Sequence, residues 1–170
     1  MAKVIFFYGL PSAGKTTIAR KLKEKLGKAV HLDGDEVRSS ITKHLGFSKK
    51  DRVENMRIVA SAAELIRSQG IDVIVSLVAP HMEGRSIFDE NCEELLKIYV
   101  STPPEICYER DVKGLYAKAF NNEIENMTGV GNNYDYESDS THNIILATAT
   151  QTPDECADFI MDIAFPDRSE

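Results

Sequence analysis

The sequence predicts a three-layer α/β fold, with a five-stranded parallel sheet and helices on both faces. Three observations predict it. Short apolar runs alternate with helix-forming stretches through most of the 170 residues. One run, Ile71 to Val78 (IDVIVSLV), is rich enough in β-branched residues to be a central strand buried on both faces. The first run also passes through a glycine-containing turn directly into a helical stretch, the entry of a right-handed crossover.

Taken in order, residues 3 to 8 form a strand and 15 to 26 a helix stopped by Gly27. Residues 28 to 33 (KAVHLD) are the second strand. Residues 35 to 44 are helical, and 49 to 69 form a longer helix stopped by Gly70. The run at 71 to 78 follows as the third strand, then a helix over 84 to 94 and a strand over 95 to 100 (LLKIYV). Pro103 and Pro104 open a helix to about Asp111. Residues 143 to 147 (NIILA) are the fifth strand, and Thr152 and Pro153 start a last helix to about Ile163. Residues 112 to 142 break this rhythm with Gly114, Gly129, Gly131, several Asn and an acidic run. So long a stretch without a clear element is read as a lid within a single domain spanning 1 to 170. In such folds ligands bind at the carboxyl ends of the strands, which here carry Gly9, Asp33, Ser76 to Pro80 and Ser101.

The turn after the first strand reads GLPSAGKT, residues 9 to 16, and fits the phosphate-loop pattern of Gly, four residues, Gly, Lys, Ser/Thr. Gly9 and Gly14 reach backbone angles that other residues avoid. The loop can therefore wrap a phosphate chain with its N–H groups, at the positive end of the following helix. Gly9, Pro11, Ser12, Ala13, Gly14, Lys15, Thr16 and Thr17 are the expected nucleoside triphosphate site. Lys15 would reach the outer phosphates, and the Thr16 hydroxyl would bind magnesium.

Composition narrows the class. A net charge of −7 argues against a broad nucleic-acid or membrane surface, while leaving small anionic ligands to local Arg and Lys residues. No apolar run approaches the roughly 20 residues that span a bilayer, and no signal peptide is visible ahead of the phosphate loop at residue 9, so a cytoplasmic protein is expected. Cys92, Cys107 and Cys156 lack metal-ligand spacing and read as reduced thiols of a cytoplasmic protein. There is no NKxD guanine motif and no DxxG segment placed as a GTPase switch. A short chain with a lid therefore points to a small-molecule kinase closing over two ligands.

The second strand ends in Leu32-Asp33-Gly34-Asp35. Two carboxylates beside a phosphate loop can hold magnesium and accept a hydroxyl proton. Asp33, Asp35 and Lys15 are therefore the candidate catalytic residues, with Asp33 joining Thr16 at the metal; Asp35 could instead cap the next helix. Arg38 lies one helical turn on, and Arg52 and Asn55 share a face of the long helix. Two Arg and an amide suit an anionic group on the acceptor. Phe47 is a loop aromatic placed to stack a base, or a core residue.

These pieces together resemble the adenylylsulfate kinases, which use ATP to phosphorylate the ribose 3'-hydroxyl of adenosine 5'-phosphosulfate. The matching segments are GLPSAGKTTIA, LDGDEVR, LGFSKKDRVENMR, IDVIVS and ERDVKGLYAKA, in family order from residue 9 to about 119. The resemblance implies a P-loop kinase fold, magnesium-ATP at residues 9 to 17, and acceptor contacts by Arg38, Phe47, Arg52 and Asn55. It also implies a lid contribution from Lys113, a role at the reacting hydroxyl for Asp33 and Asp35, and a homodimer.

The chain departs from the family pattern around the acceptor. The family's Asn after DGD is Glu36, and its Arg-His-Gly-Leu is Arg38-Ser39-Ser40-Ile41. Its Ser-Phe-Ile-Ser-Pro-Tyr is Ser76-Leu77-Val78-Ala79-Pro80-His81, so no phosphoserine can form at position 79. Its Lys-Ala-Arg is Lys118-Ala119-Phe120, and its Pro-Tyr-Glu is blurred into Asn133-Tyr134-Asp135-Tyr136-Glu137. In this pattern the chain is similar to a divergent branch, the cytidine diphosphoramidate kinase of bacterial capsule biosynthesis. Glu36 would then accept a hydrogen bond from an amine that sulfate lacks. On the sequence alone cytidine diphosphoramidate is the preferred acceptor, with adenosine 5'-phosphosulfate next; both are nucleotides with a charged tetrahedral end group. The rival of another class is a regulatory module that binds nucleotide without transfer.

Overall fold

The computed structural model describes residues 1–131 and 136–168; Asn133, Tyr134 and Asp135 of the blurred segment lie outside the described residues. Five strands are present: β1 (Val4–Tyr8), β2 (Ala29–Asp33), β3 (Asp72–Leu77), β4 (Leu95–Ser101) and β5 (Ile144–Ala147). They form one sheet in the order β2-β3-β1-β4-β5, with every neighbouring pair parallel. This is the expected P-loop kinase architecture.

Seven helices accompany them among the described residues: α1 (Lys15–Leu26), α2 (Gly34–Ser39), α3 (Lys49–Ser68), α4 (Met82–Asn91), α5 (Pro104–Arg110), α6 (Leu115–Phe120) and α7 (Pro153–Ala164). The side chains of β1 alternate between two cores. Ile5 and Phe7 pack with Ile18 and Leu22 of α1 and Ile160 of α7. Val4, Phe6 and Tyr8 pack with Met56 and Val59 of α3 and Phe88 of α4. Both faces are therefore covered, and β1 and β3 are buried at every position. Phe6 stacks on Phe88 with centroids 4.1 Å apart; truncating either ring would cost about 3–5 kcal/mol. A Cβ at Gly84 would lie 2.8 Å from Met56 Cγ, so the α3–α4 approach needs glycine there.

Most boundaries follow the local signals. Gly27 closes α1 with a positive φ of 69°, Ser48 caps α3 by accepting from Asp51 N–H, and Thr152 and Glu155 form a capping box on α7. Three expectations need correction. The helix expected over 35 to 44 starts at Gly34 and stops at Ser39. The Ser39 and Ser40 hydroxyls take the Glu36 carbonyl at 3.0 and 2.5 Å, and Thr42 folds back onto the Val37 carbonyl. Side chains thus take carbonyls that a continuing helix would use. The helix expected over 84 to 94 begins two residues earlier and ends at Asn91. Within 112 to 142, α6 forms as well: the Asp111 carboxylate accepts the N–H groups of Tyr116 and Ala117, and the Tyr116 hydroxyl reaches the Pro11 carbonyl at 2.9 Å. Six residues are too few to show periodicity.

Candidate active site

Two cavities open at the carboxyl ends of the strands. The larger has an empty volume of about 2280 Å³ and runs along the phosphate loop; the smaller, of about 620 Å³, lies between α2, α3 and the exit of β3. Asp35, Phe47, Arg52 and Val78 line both, so the two share a wall.

The phosphate loop owes its close seat to Gly9. A Cβ there would lie 2.5 Å from the Val100 carbonyl oxygen. Pro11, Ser12, Gly14, Lys15, Thr16 and Thr17 line the larger cavity. Gly9 and Ala13 contribute backbone instead. The Ala13 carbonyl accepts from Thr148 Oγ1 (2.8 Å), Thr102 Oγ1 (3.1 Å) and Arg110 Nη1 (3.4 Å), which ties the loop to the ends of β4 and β5. Lys15 is buried, and its ammonium donates to the carbonyls of Gly9 (2.9 Å) and Leu10 (2.6 Å). Burial pushes its pKa down to about 8.

Asp33 is the best-held carboxylate of the site. Its Oδ1 accepts from Thr16 Oγ1 at 2.7 Å and Ser76 Oγ at 2.9 Å, and its Oδ2 accepts the Asp35 N–H at 3.2 Å. Asp33, not Asp35, is therefore the N-cap of α2. Burial would raise its carboxyl, but these three hydrogen bonds outweigh burial and hold it below the usual range. His31 Nε2 lies 2.8 Å from Ser76 Oγ, and burial lowers its pKa despite the nearby Asp33. Asp35 is the more accessible acid and pairs with Lys113, which reaches over from the segment after α5.

Arg38, Phe47, Arg52 and Asn55 all line the smaller cavity. The Phe47 ring stays largely exposed beside two guanidinium groups, with Arg38 Cζ at 4.7 Å and Arg52 Cζ at 5.5 Å from its centroid. Arg38 Nη1 donates to the Gly46 carbonyl at 2.6 Å and Arg52 Nε to the Phe47 carbonyl at 2.9 Å, so both cations also brace the loop that carries the ring. Asn55 is buried on α3, its amide oxygen accepting from Thr42 Oγ1 at 2.7 Å. Glu36 is placed elsewhere. It is exposed on the first turn of α2 and lines neither cavity.

Sequence reasoning missed several wall residues. Arg110, Thr148 and Gln151 line the end of the larger cavity beyond the loop, and Asn126, Met127 and Thr128 line its far side. Ala79 and His81, which the sequence marked as departures beside the acceptor, line the smaller cavity. Arg110 was visible within a quoted segment, but only the fold shows which way it faces.

The structure closely matches the solved structure of the Mycobacterium tuberculosis APS kinase in complex with AMPPNP and APS, with a TM-score of 0.89, 32% identity, and coverage of 95% of this chain and 96% of that one. In sequence it is 40% identical over 162 residues to an adenylyl-sulfate kinase of Halothermothrix orenii, covering 93% of this chain and 86% of that protein. A probable adenylyl-sulfate kinase of Pseudomonas aeruginosa is 39% identical over 93% of this chain and 75% of its own length. Residues 1–145 match the family model for adenylylsulphate kinase. The chain therefore belongs to the adenylylsulphate kinase family, a family of ATP-dependent kinases.

Proposed function

We propose that the protein transfers the γ-phosphoryl group of ATP to the ribose 3'-hydroxyl of adenosine 5'-phosphosulfate. The observation that carries this reading is the shared wall of the two cavities. Asp35 faces both a phosphate loop and a pocket lined by two guanidinium groups and an aromatic ring. A donor triphosphate and an anionic nucleotide would meet there. The relatives' names favour adenosine 5'-phosphosulfate over the cytidine diphosphoramidate that the sequence placed first, and nothing in those names points to capsule synthesis.

Phosphoryl transfer asks mainly for positioning and charge neutralisation. Loop N–H groups and Lys15 would hold the donor phosphates, Lys15 exchanging the carbonyls of Gly9 and Leu10 for phosphate oxygens. The residues present fit a magnesium ion, because Thr16 Oγ1 and the ionised Asp33 are hard oxygen ligands 2.7 Å apart. Among the described residues no group of three or more His, Cys, Asp or Glu is placed to hold a metal, so phosphates and water would complete the shell. Bound there, magnesium would offset charge on the phosphates. Asp35 and Asp33 would orient the hydroxyl and take up its proton. Lys113, carried by a segment acting as a lid, would leave Asp35 for the transferring group.

A second reading keeps cytidine diphosphoramidate as acceptor. It is favoured by Ala79 and His81, which stand in the wall of the smaller cavity where the family pattern has Ser and Tyr. Steady-state ADP formation with each acceptor, ATP and magnesium decides between them. The primary reading expects a higher kcat/KM for adenosine 5'-phosphosulfate. ADP release at one slow rate whatever the acceptor would overturn both and leave a nucleotide-binding module.

A further inference from the structure

Residues 136 to 139 run along the loop that leaves β3, and the contacts are dense. The Tyr136 hydroxyl donates to the Val78 carbonyl at 2.9 Å, and Glu137 N–H donates to the Pro80 carbonyl at 2.9 Å. The Glu137 carboxylate accepts Met82 N–H at 2.6 Å, and its other oxygen lies 3.5 Å from His81 Nδ1 and 3.8 Å from Lys49 Nζ. Beneath them sits Arg85, 1% exposed, with Tyr8 and Tyr136 packed against its guanidinium. Arg85 Nη2 donates to both the Glu137 carbonyl (2.5 Å) and the Pro80 carbonyl (3.3 Å), while Nη1 lies 3.6 Å from Asp139.

What this clasp holds is the wall of the acceptor cavity. Val78, Ala79, Pro80 and His81 all line it. Ala79 there has φ 48°, a left-handed conformation that an alanine adopts only at a cost. A strained residue persists when its surroundings over-determine it, and here contacts to Val78, Pro80, His81 and Met82 bracket it on both sides. None of the clasp groups 136 to 139 lines either cavity.

We propose that Glu137, Tyr136 and Arg85 are positioning residues for the acceptor: they hold Ala79 left-handed and set the His81 ring, and so shape the pocket without touching its ligand. The proposal rests on the acceptor site assigned above. Glu137 is the member best suited to test, since it is partly exposed and its neighbours are the Lys49 ammonium on α3 and the His81 ring at the head of α4.

The test compares wild type, Glu137→Gln, Tyr136→Phe and the double variant Ala79→Gly/Glu137→Gln. Each is assayed for KM of adenosine 5'-phosphosulfate and of ATP. Direct calorimetric binding of the acceptor nucleotide runs alongside. The expected result is a rise of about tenfold in acceptor KM and Kd for both single variants, the size of one weakened charge-assisted or buried hydrogen bond, with the ATP KM within about twofold of wild type. Glycine relaxes the requirement at position 79, so the double variant should recover at least about half of the loss on a logarithmic scale. An acceptor KM within about twofold of wild type in the single variants would overturn the proposal, as would an equal rise in both KM values or no recovery in the double variant. Failure of the function itself would show separately, as a wild-type protein that phosphorylates no acceptor.

Discussion

The Thr16 hydroxyl donates to the Asp33 carboxylate across 2.7 Å, joining the first turn of α1 to the tip of β2. The phosphate loop and the acid at the tip of β2 are thus one hydrogen-bonded unit. Ser76 and the Asp35 N–H complete the shell of Asp33 and keep it ionised.

Asp33→Asn should separate folding from chemistry. Asn caps a helix as well as Asp does, so α2 should survive. Its NH2 group cannot accept from Thr16 or Ser76, and the charge is gone. Turnover should fall by about 10²-fold or more, while calorimetric ATP affinity moves far less. Unchanged turnover would remove Asp33 from the mechanism.

Lys15 makes ATP binding pH-dependent. Its pKa is held near 8 because burial disfavours the charged form. A bound triphosphate needs that charge, so above pH 8 binding must draw a proton from solvent. Affinity should drop about tenfold between pH 7 and pH 9, and binding at pH 8.5 should take up about three-quarters of a proton. Calorimetry in buffers of different ionisation enthalpy measures this uptake, and a value near zero would refute it.

Phe47→Ala should raise the acceptor KM by about tenfold or more, in line with stacking on an aromatic face. The ring is 62% exposed, so the melting temperature should hardly change. A rise in the ATP KM alone would place the ring on the donor side.

Acceptor preference should follow the cavity wall. Glu36 lies outside both cavities, so Glu36→Asn should leave the ratio of kcat/KM values for the two acceptors within about twofold. His81→Tyr alters the wall itself and should shift that ratio towards adenosine 5'-phosphosulfate by several-fold or more. The opposite pattern would restore Glu36 as the discriminating group.

Much of this was legible along the chain because the signals are local. The phosphate loop needs eight consecutive residues, and the caps at Ser48, Thr152 and Gly27 act within one turn. Arg52 and Asn55 could be put on one helix face by spacing alone. Glu36 has neighbours in sequence that line the cavities, while its own side chain lies outside both linings. The six-residue α6 carries too short a pattern to read and depends on Asp111 and Pro11 for its place.

The sequence by itself determined the alternation of strands and helices, the phosphate-loop pattern and the family, because each rests on the identity and order of nearby residues. Only the tertiary structure decided which carboxylate caps α2, that Arg110 and Thr148 brace the loop at Ala13, and that the 136 to 139 segment grips the wall at Ala79. Those relationships join residues tens of positions apart. They are made by side-chain direction and by which strand ends lie side by side, and neither is written in any local stretch of the chain.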